Sequence, residues 1–183
     1  MIDGPGRTGL SLGPMTYIRL RQAAPRLAGF DYHLGHWYFV TVVTRGRACI
    51  LASVENGEVK LSEIGRIVTA QWLERPRWHL GVTLRDFIVM PNHLHAILTL
   101  PGNGISLLEV IGGFKAAATR RVTRSGHAQG SLWQRSFFDR IIRDQPELDA
   151  LRKYIVDNPM PWSLRTVDRA DVGGLTPAPT PVG

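Results

Sequence analysis

Apolar and polar positions change period several times along the chain, and each change predicts an element. His36 to Thr44 (HWYFVTVVT) is a run of aromatic and β-branched residues, the composition of a buried strand. From Ser62 to Leu73 the period lengthens, with Ile64, Ile67, Val68 and Trp72 at helical spacing behind a capping Ser62, and Pro76 ends the helix. Val82 to Met90 and His93 to Leu100 are two apolar runs separated by Pro91-Asn92, a turn that makes them an antiparallel pair. Ser106 and Glu109 have the spacing of a capping box. They open a helix whose stripe is Leu107, Val110, Ile111, Phe114 and Ala118, weakened in its middle by Gly112-Gly113. Ser136 to Arg143 (SFFDRIIR) reads as a strand. Asp144 and Glu147 repeat the capping spacing for a last helix, where Pro146 fits the first turn and Pro159 disfavours continuation beyond Asn158.

The order strand, helix, strand, strand, helix, strand, helix predicts an α+β domain with a ferredoxin-like antiparallel sheet flanked by helices. At 183 residues the chain accommodates one such core. We expect a single domain over 31–165, a flexible N-terminal segment over 1–30, and a disordered Pro-rich tail over 166–183 containing Thr-Pro-Ala-Pro-Thr-Pro. No internal repeat is visible. No apolar run approaches the roughly 20 residues that cross a bilayer, and the Gly-rich start has no signal-peptide core. The single cysteine, Cys49, excludes an internal disulfide and a multi-thiolate metal site. Together these features lead us to expect a cytoplasmic protein with no membrane partner.

Charge narrows the partner. Lys plus Arg number 22 against 15 Asp plus Glu, a formal +7, which favours polyanions. The excess is local: between Ile111 and Arg143 stand Lys115, Arg120, Arg121, Arg124, Arg135, Arg140 and Arg143 against one acid, Asp139.

The chemistry lies in Met90-Pro91-Asn92-His93-Leu94-His95 and in Tyr154-Ile155-Val156-Asp157-Asn158-Pro159. Alternate residues of a strand share a face, so His93 and His95 point together while Leu94, Ala96, Leu98 and Leu100 point away. Two neutral imidazoles on one face are half of a metal site. On the last helix Leu148, Leu151 and Ile155 define the buried stripe. Tyr154 lies at one edge of it, and Asn158, if the final turn stays helical, falls within it; four residues apart, phenol and amide can serve one site. An inward amide needs a partner, because an unsatisfied one costs about 1 to 3 kcal/mol. Tyr17 and Tyr32 lie outside the clear core and Tyr38 within an apolar strand, which leaves Tyr154 as the first choice of nucleophile. His36 or His79 could replace Asn158 as third ligand.

MPNHLHAIL, FKAAATRR, WQRSFFDRIIRD and KYIVDNP, in this order, resemble the REP-associated tyrosine transposases within the single-tyrosine HUH transposase superfamily, over roughly His36 to Trp162. The resemblance implies that His93, His95 and Asn158 are ligands of a divalent metal, Mg²⁺ or Mn²⁺. It also implies that Tyr154 is the nucleophile and that the partner is single-stranded or hairpin DNA, cleaved and rejoined through a 5′-phosphotyrosine. Related enzymes include homodimers whose helices complete each other's sites, so Tyr154 could act on the histidines of a partner chain. Lys115, Arg120, Arg121, Arg135, Arg140 and Arg143 are candidate phosphate contacts, and Trp133 is expected to pack rather than stack on a base. The alternative is a catalytically silent DNA-binding module derived from such an enzyme; a third reading is a metal-dependent hydrolase in which water replaces the tyrosine. The chain departs from the family after Asn158-Pro159, where Met160-Pro161-Trp162 gives way to the Pro-rich tail.

Overall fold

The computed structural model of the protein describes residues 36–127, 130–160 and Trp162. The expectations for 1–30 and 166–183 lie outside the described residues, as do Tyr17 and Tyr32. Among the described residues six strands and four α-helices follow in the order β1 (Trp37–Val43), β2 (Ala52–Glu55), β3 (Glu58–Leu61), α1 (Glu63–Leu73), α2 (Arg75–Trp78), β4 (Thr83–Met90), β5 (His93–Thr99), α3 (Leu107–Arg124), β6 (Phe138–Ile142) and α4 (Gln145–Asp157). Strands β4-β5-β1-β6 form one antiparallel sheet, and β2-β3 form a separate hairpin. With the hairpin set aside, the main sheet has the ferredoxin-like order expected from the element sequence.

Alternation along the strands divides the sheet into two unlike faces. Tyr38, Val40 and Val42 of β1 and Leu94, Ala96 and Leu98 of β5 pack with Val68 and Trp72 of α1 and with Val110, Ile111, Phe114, Ala118 and Val122 of α3. Phe114 sits edge-on to Trp72 at 5.1 Å and against Trp133 at 5.6 Å, so Trp133 packs in the core, as expected. Burying each large side chain in this way contributes about 1.5–3 kcal/mol. The opposite face is smaller: Phe39, Ile97 and Ile142 meet Leu148, Leu151 and Ile155 of α4, with Trp37, Ile88 and Tyr154 at the edge.

Local chemistry explains most boundaries. Ser62 accepts a hydrogen bond from the Gly65 amide at 3.0 Å, the cap that starts α1. Gly65 itself is required by close approach: a Cβ there would lie 1.9 Å from the Leu51 carbonyl oxygen. Ser106 and Glu109 form the reciprocal capping box of α3. At α4 only half of the expected box forms. Asp144 accepts from the Glu147 amide at 2.8 Å, but the Glu147 carboxylate turns to the Arg143 amide at 3.0 Å and to Arg140.

Two expectations need correction. Pro76 does not end α1; that helix stops at Leu73, and Pro76 occupies the first turn of α2, where its missing amide proton leaves no intrahelical bond unmade. Sequence reading also passed over β2-β3, although Asn56-Gly57, both at positive φ, is the turn dipeptide of a two-residue hairpin. In β4 the register shifts between Leu84 and Phe87, so Arg85 and Asp86 together oppose Ile97. This bulge keeps both Leu84 and Phe87 packed on the α1/α3 face despite their odd separation.

Candidate active site

β5 carries His93 and His95 on the α4 face, and Thr41 of β1 lies directly across from His95 in the antiparallel register. That register fixes the ring. Thr41 Oγ1 is 2.8 Å from His95 Nδ1, and Phe39 stacks on the imidazole with centroids 5.2 Å apart. His93 stands edge-on to His95 at 4.4 Å. From α4, Tyr154 brings its ring to 5.3 Å and its hydroxyl to 3.4 Å from His95 Nε2. Phenol and imidazole thus meet within one chain.

Hydrogen bonding selects the tautomer of His93. The Asn92 amide nitrogen donates to the Arg47 carbonyl at 3.2 Å, which turns Asn92 Oδ1 towards His93 Nδ1 at 2.7 Å. An amide oxygen only accepts, so His93 Nδ1 carries the proton and Nε2 carries the lone pair. His95 is 1% exposed. Burial first, and the neighbouring His93 second, hold its pKa well below the usual imidazole range, so the ring is neutral at pH 7. A neutral imidazole oriented through Nδ1 is the form that binds a cation through Nε2, and the pair fits a divalent ion in that respect.

Asn158 follows Tyr154 by four residues and keeps helical geometry, φ −56° and ψ −36°, so the helical turn extends through the half-buried amide. It therefore lies on the same flank of α4 as the phenol. Among the described residues no group of three or more His, Cys, Asp and Glu side chains could hold a metal ion. The two substitutes considered for Asn158 are misplaced. His79 lies beyond α2 against Gly113 of α3, across the sheet, and His36 precedes β1 at the end that pairs with Thr99 rather than His93.

The basic residues divide differently from expectation. Lys115 is not available as a phosphate contact: its ammonium donates to the carbonyls of Gln134, Arg135 and Ser136 at 2.6, 3.0 and 3.3 Å, which engages all three protons. Burial lowers its pKa. Arg120 and Arg121 belong to α3 and line a groove with α1 and α2, on the other side of the sheet from Tyr154. Arg140 lies opposite Phe39, on the α4 face, and is ion-paired with Glu147. Arg135 and Arg143 are exposed. Asp157, adjacent to the site in sequence, turns instead to Lys153 at 2.7 Å.

Sequence reasoning missed Thr41, Asn92 and Phe39. Asn92 reads in sequence as a turn residue, although it immediately precedes the histidine pair, whereas no local signal marks Thr41 or Phe39 because strand register brings them there. Trp162, 5.9 Å from His93, was likewise unassigned.

The family described as "Transposase IS200 like" matches residues 62–158, just over half of the chain, including both histidines, Tyr154 and Asn158. An uncharacterised protein of Haemophilus influenzae is 27% identical over 158 residues, covering 75% of this chain and 87% of the relative. A candidate REP-associated tyrosine transposase of the same organism is 28% identical over 81 residues, covering 39% of this chain and 46% of that protein. Among solved structures, a REP-associated tyrosine transposase bound to a REP hairpin has a similar fold, with a TM-score of 0.59, 21% identity, and coverage of 76% of this chain and 73% of that one. From the profile match, the ordered motifs and the shared fold, the chain belongs to the IS200-like transposase family and is similar to its REP-associated tyrosine transposases.

Proposed function

We propose that the protein cleaves and rejoins single-stranded DNA at hairpin-bearing sites, with Tyr154 as nucleophile and His93, His95 and Asn158 as ligands of a divalent cation. The observation that carries this reading is the approach of the Tyr154 hydroxyl to within 3.4 Å of His95 Nε2, beside a second imidazole whose Nδ1 is already engaged. Imidazole ligands favour Mn²⁺ over Mg²⁺ on softness, and the amide of Asn158 supplies an oxygen donor. When bound, the cation polarises a non-bridging phosphate oxygen and favours the phenoxide over the phenol.

The chain's own residues do the rest. Thr41 and Phe39 hold His95, Asn92 holds His93, and α4 delivers the phenol. Tyr154 oxygen attacks phosphorus, the bond to the upstream 3′ oxygen breaks, and the downstream strand remains as a 5′-phosphotyrosine. Attack by another 3′-hydroxyl reverses the chemistry and rejoins the strands. The approach of phenol to imidazole within one chain supports a site whose nucleophile and ligands come from the same subunit. The domain spans 31–165 in this reading, with DNA phosphates contacted by the exposed Arg135 and Arg143.

The test is a denaturing-gel trap with 3′-labelled hairpin oligonucleotides in Mg²⁺ or Mn²⁺. A labelled covalent adduct is expected from the full chain and none from Tyr154→Phe, with folding unchanged. Absence of an adduct from the full chain with varied hairpins and both metals, while salt-sensitive binding persists, would favour the silent binding module. Cleavage that survives in Tyr154→Phe would favour water as the nucleophile.

A further inference from the structure

On the side of the sheet away from Tyr154, α1 and α2 lean against α3 and leave a groove of about 870 Å³, within the size range of small-ligand sites. Five arginines line it, Arg66, Arg75, Arg120, Arg121 and Arg124, against the acids Glu63 and Glu74. Glu63 is engaged by Arg66, and Glu74 accepts from Gln71 at 3.0 Å. The groove therefore retains a positive surplus.

Arg75 distinguishes this groove from an ordinary basic surface. Its side chain is only 4% exposed, yet among the described residues its sole side-chain hydrogen bond runs from Nε to the Gln71 carbonyl at 3.1 Å. Its two terminal NH₂ groups, which between them carry four protons, have no acceptor there. Neither terminal nitrogen is among the side-chain atoms sealed from solvent without a partner, so both still open onto the groove with their donors free for an anion. Among the described residues no carboxylate makes an ion pair with it; Glu74 and Arg120 act on it only at longer range, with opposite signs.

Two nitrogens converge at this point. A Cβ on Gly113, in the middle of α3, would make ordinary van der Waals contact at 3.4 Å with both Arg75 Nη1 and His79 Nε2, so the guanidinium and the imidazole meet over the same turn of α3. At the rim stands Trp78, a large aromatic with 70% of its surface exposed. A guanidinium and an imidazole at the floor suit a phosphate oxyanion, and an indole at the rim suits the face of a base.

We propose that this groove is a second ligand site, which takes a phosphate group carried beside an aromatic base and holds it through Arg75, His79 and Arg120 with the base on Trp78. The site is separate from the Tyr154 centre and does not rest on the chemistry assigned there. The same phosphate-and-base unit occurs in a free nucleotide and in a nucleic-acid strand.

Calorimetric titration of the full chain with inorganic phosphate, adenosine monophosphate and a short single-stranded oligonucleotide tests the assignment. Adenosine monophosphate should bind more tightly than phosphate. Arg75→Gln should weaken both by roughly tenfold or more, the effect of losing hydrogen bonds to a charged group. Trp78→Ala should weaken adenosine monophosphate and leave phosphate unchanged. Tyr154→Phe should alter neither, so failure at one centre is distinguishable from failure at the other. Competition between oligonucleotide and adenosine monophosphate would identify a strand as the ligand; nucleotide binding without competition would identify the free nucleotide. If Arg75→Gln does not fold, the exposed Arg120→Ala gives the second reading, with affinity expected to fall severalfold. No phosphate or nucleotide binding by the full chain, or binding indifferent to both arginine substitutions, would overturn the site.

Discussion

The two faces of the four-stranded sheet are built from the same strands and do different work. On β5, Leu94, Ala96 and Leu98 enter a cluster with α1 and α3 that is apolar throughout, whereas His93 and His95, one position out of phase, enter a layer with α4 that becomes polar at one end. The α1/α3 face devotes the positions facing the sheet mainly to packing. The α4 face stops packing at Phe39 and Ile97, and beyond them places Thr41, His95 and the Tyr154 hydroxyl where apolar side chains would otherwise continue. A single sheet can therefore concentrate stability on one side and tolerate a polar site on the other.

The largest test of this division is Phe114→Ala, which withdraws the ring shared by Trp72 and Trp133. It should cost about 3–5 kcal/mol in denaturant unfolding. A cost below about 1 kcal/mol would mean that the α1/α3 face is not the principal source of stability. Thr41→Val probes the other face. It removes the partner of His95 Nδ1, and an orienting partner of this kind is worth roughly 10–100-fold in metal affinity or activity. Its stability cost should be nearer 1–3 kcal/mol, because one buried ring nitrogen loses its hydrogen bond. Unchanged Mn²⁺ affinity and cleavage in that variant would remove Thr41 from the site.

Acid should also act through the α4 face. With chelator present, the folded pKa of His95 lies below its unfolded value, so the unfolded chain binds the extra proton first. This contribution is fully present above about pH 6.5 and is lost as pH falls below that value towards the folded pKa. Melting temperatures between pH 7.5 and 5 should decline less in His95→Gln than in the parent chain; parallel declines would refute the assignment. The smallest effect is expected for Asp144→Ala. Loss of the α4 cap should cost about 1 kcal/mol. A much larger loss of cleavage than of stability would show that the cap also sets the position of Tyr154.

Much of this arrangement is legible in the sequence. The apolar alternation of β1 and β5, the capping serines at 62 and 106, and Asp144 ahead of α4 are local signals, and each produced the element that it predicts. The histidine pair was legible because strand side chains alternate, and the Tyr154–Asn158 spacing because a helix returns to the same flank after four residues. Pro76 misled because proline is equally at home after one helix and in the first turn of the next. Lys115 misled because a basic side chain in sequence does not disclose that three carbonyls of a later loop will engage it.

The sequence by itself determined the periodicities, the caps and the types of chemical group available, since these depend on residues only a few positions apart. Tertiary structure alone decided that Thr41 would orient His95 across a strand register, that Tyr154 would reach the imidazole of its own chain, and that the arginines of α3 would face a different groove from the phenol. Those outcomes turn on which faces of the sheet the helices cover, and that is fixed by burying apolar area over the whole domain rather than by any local preference.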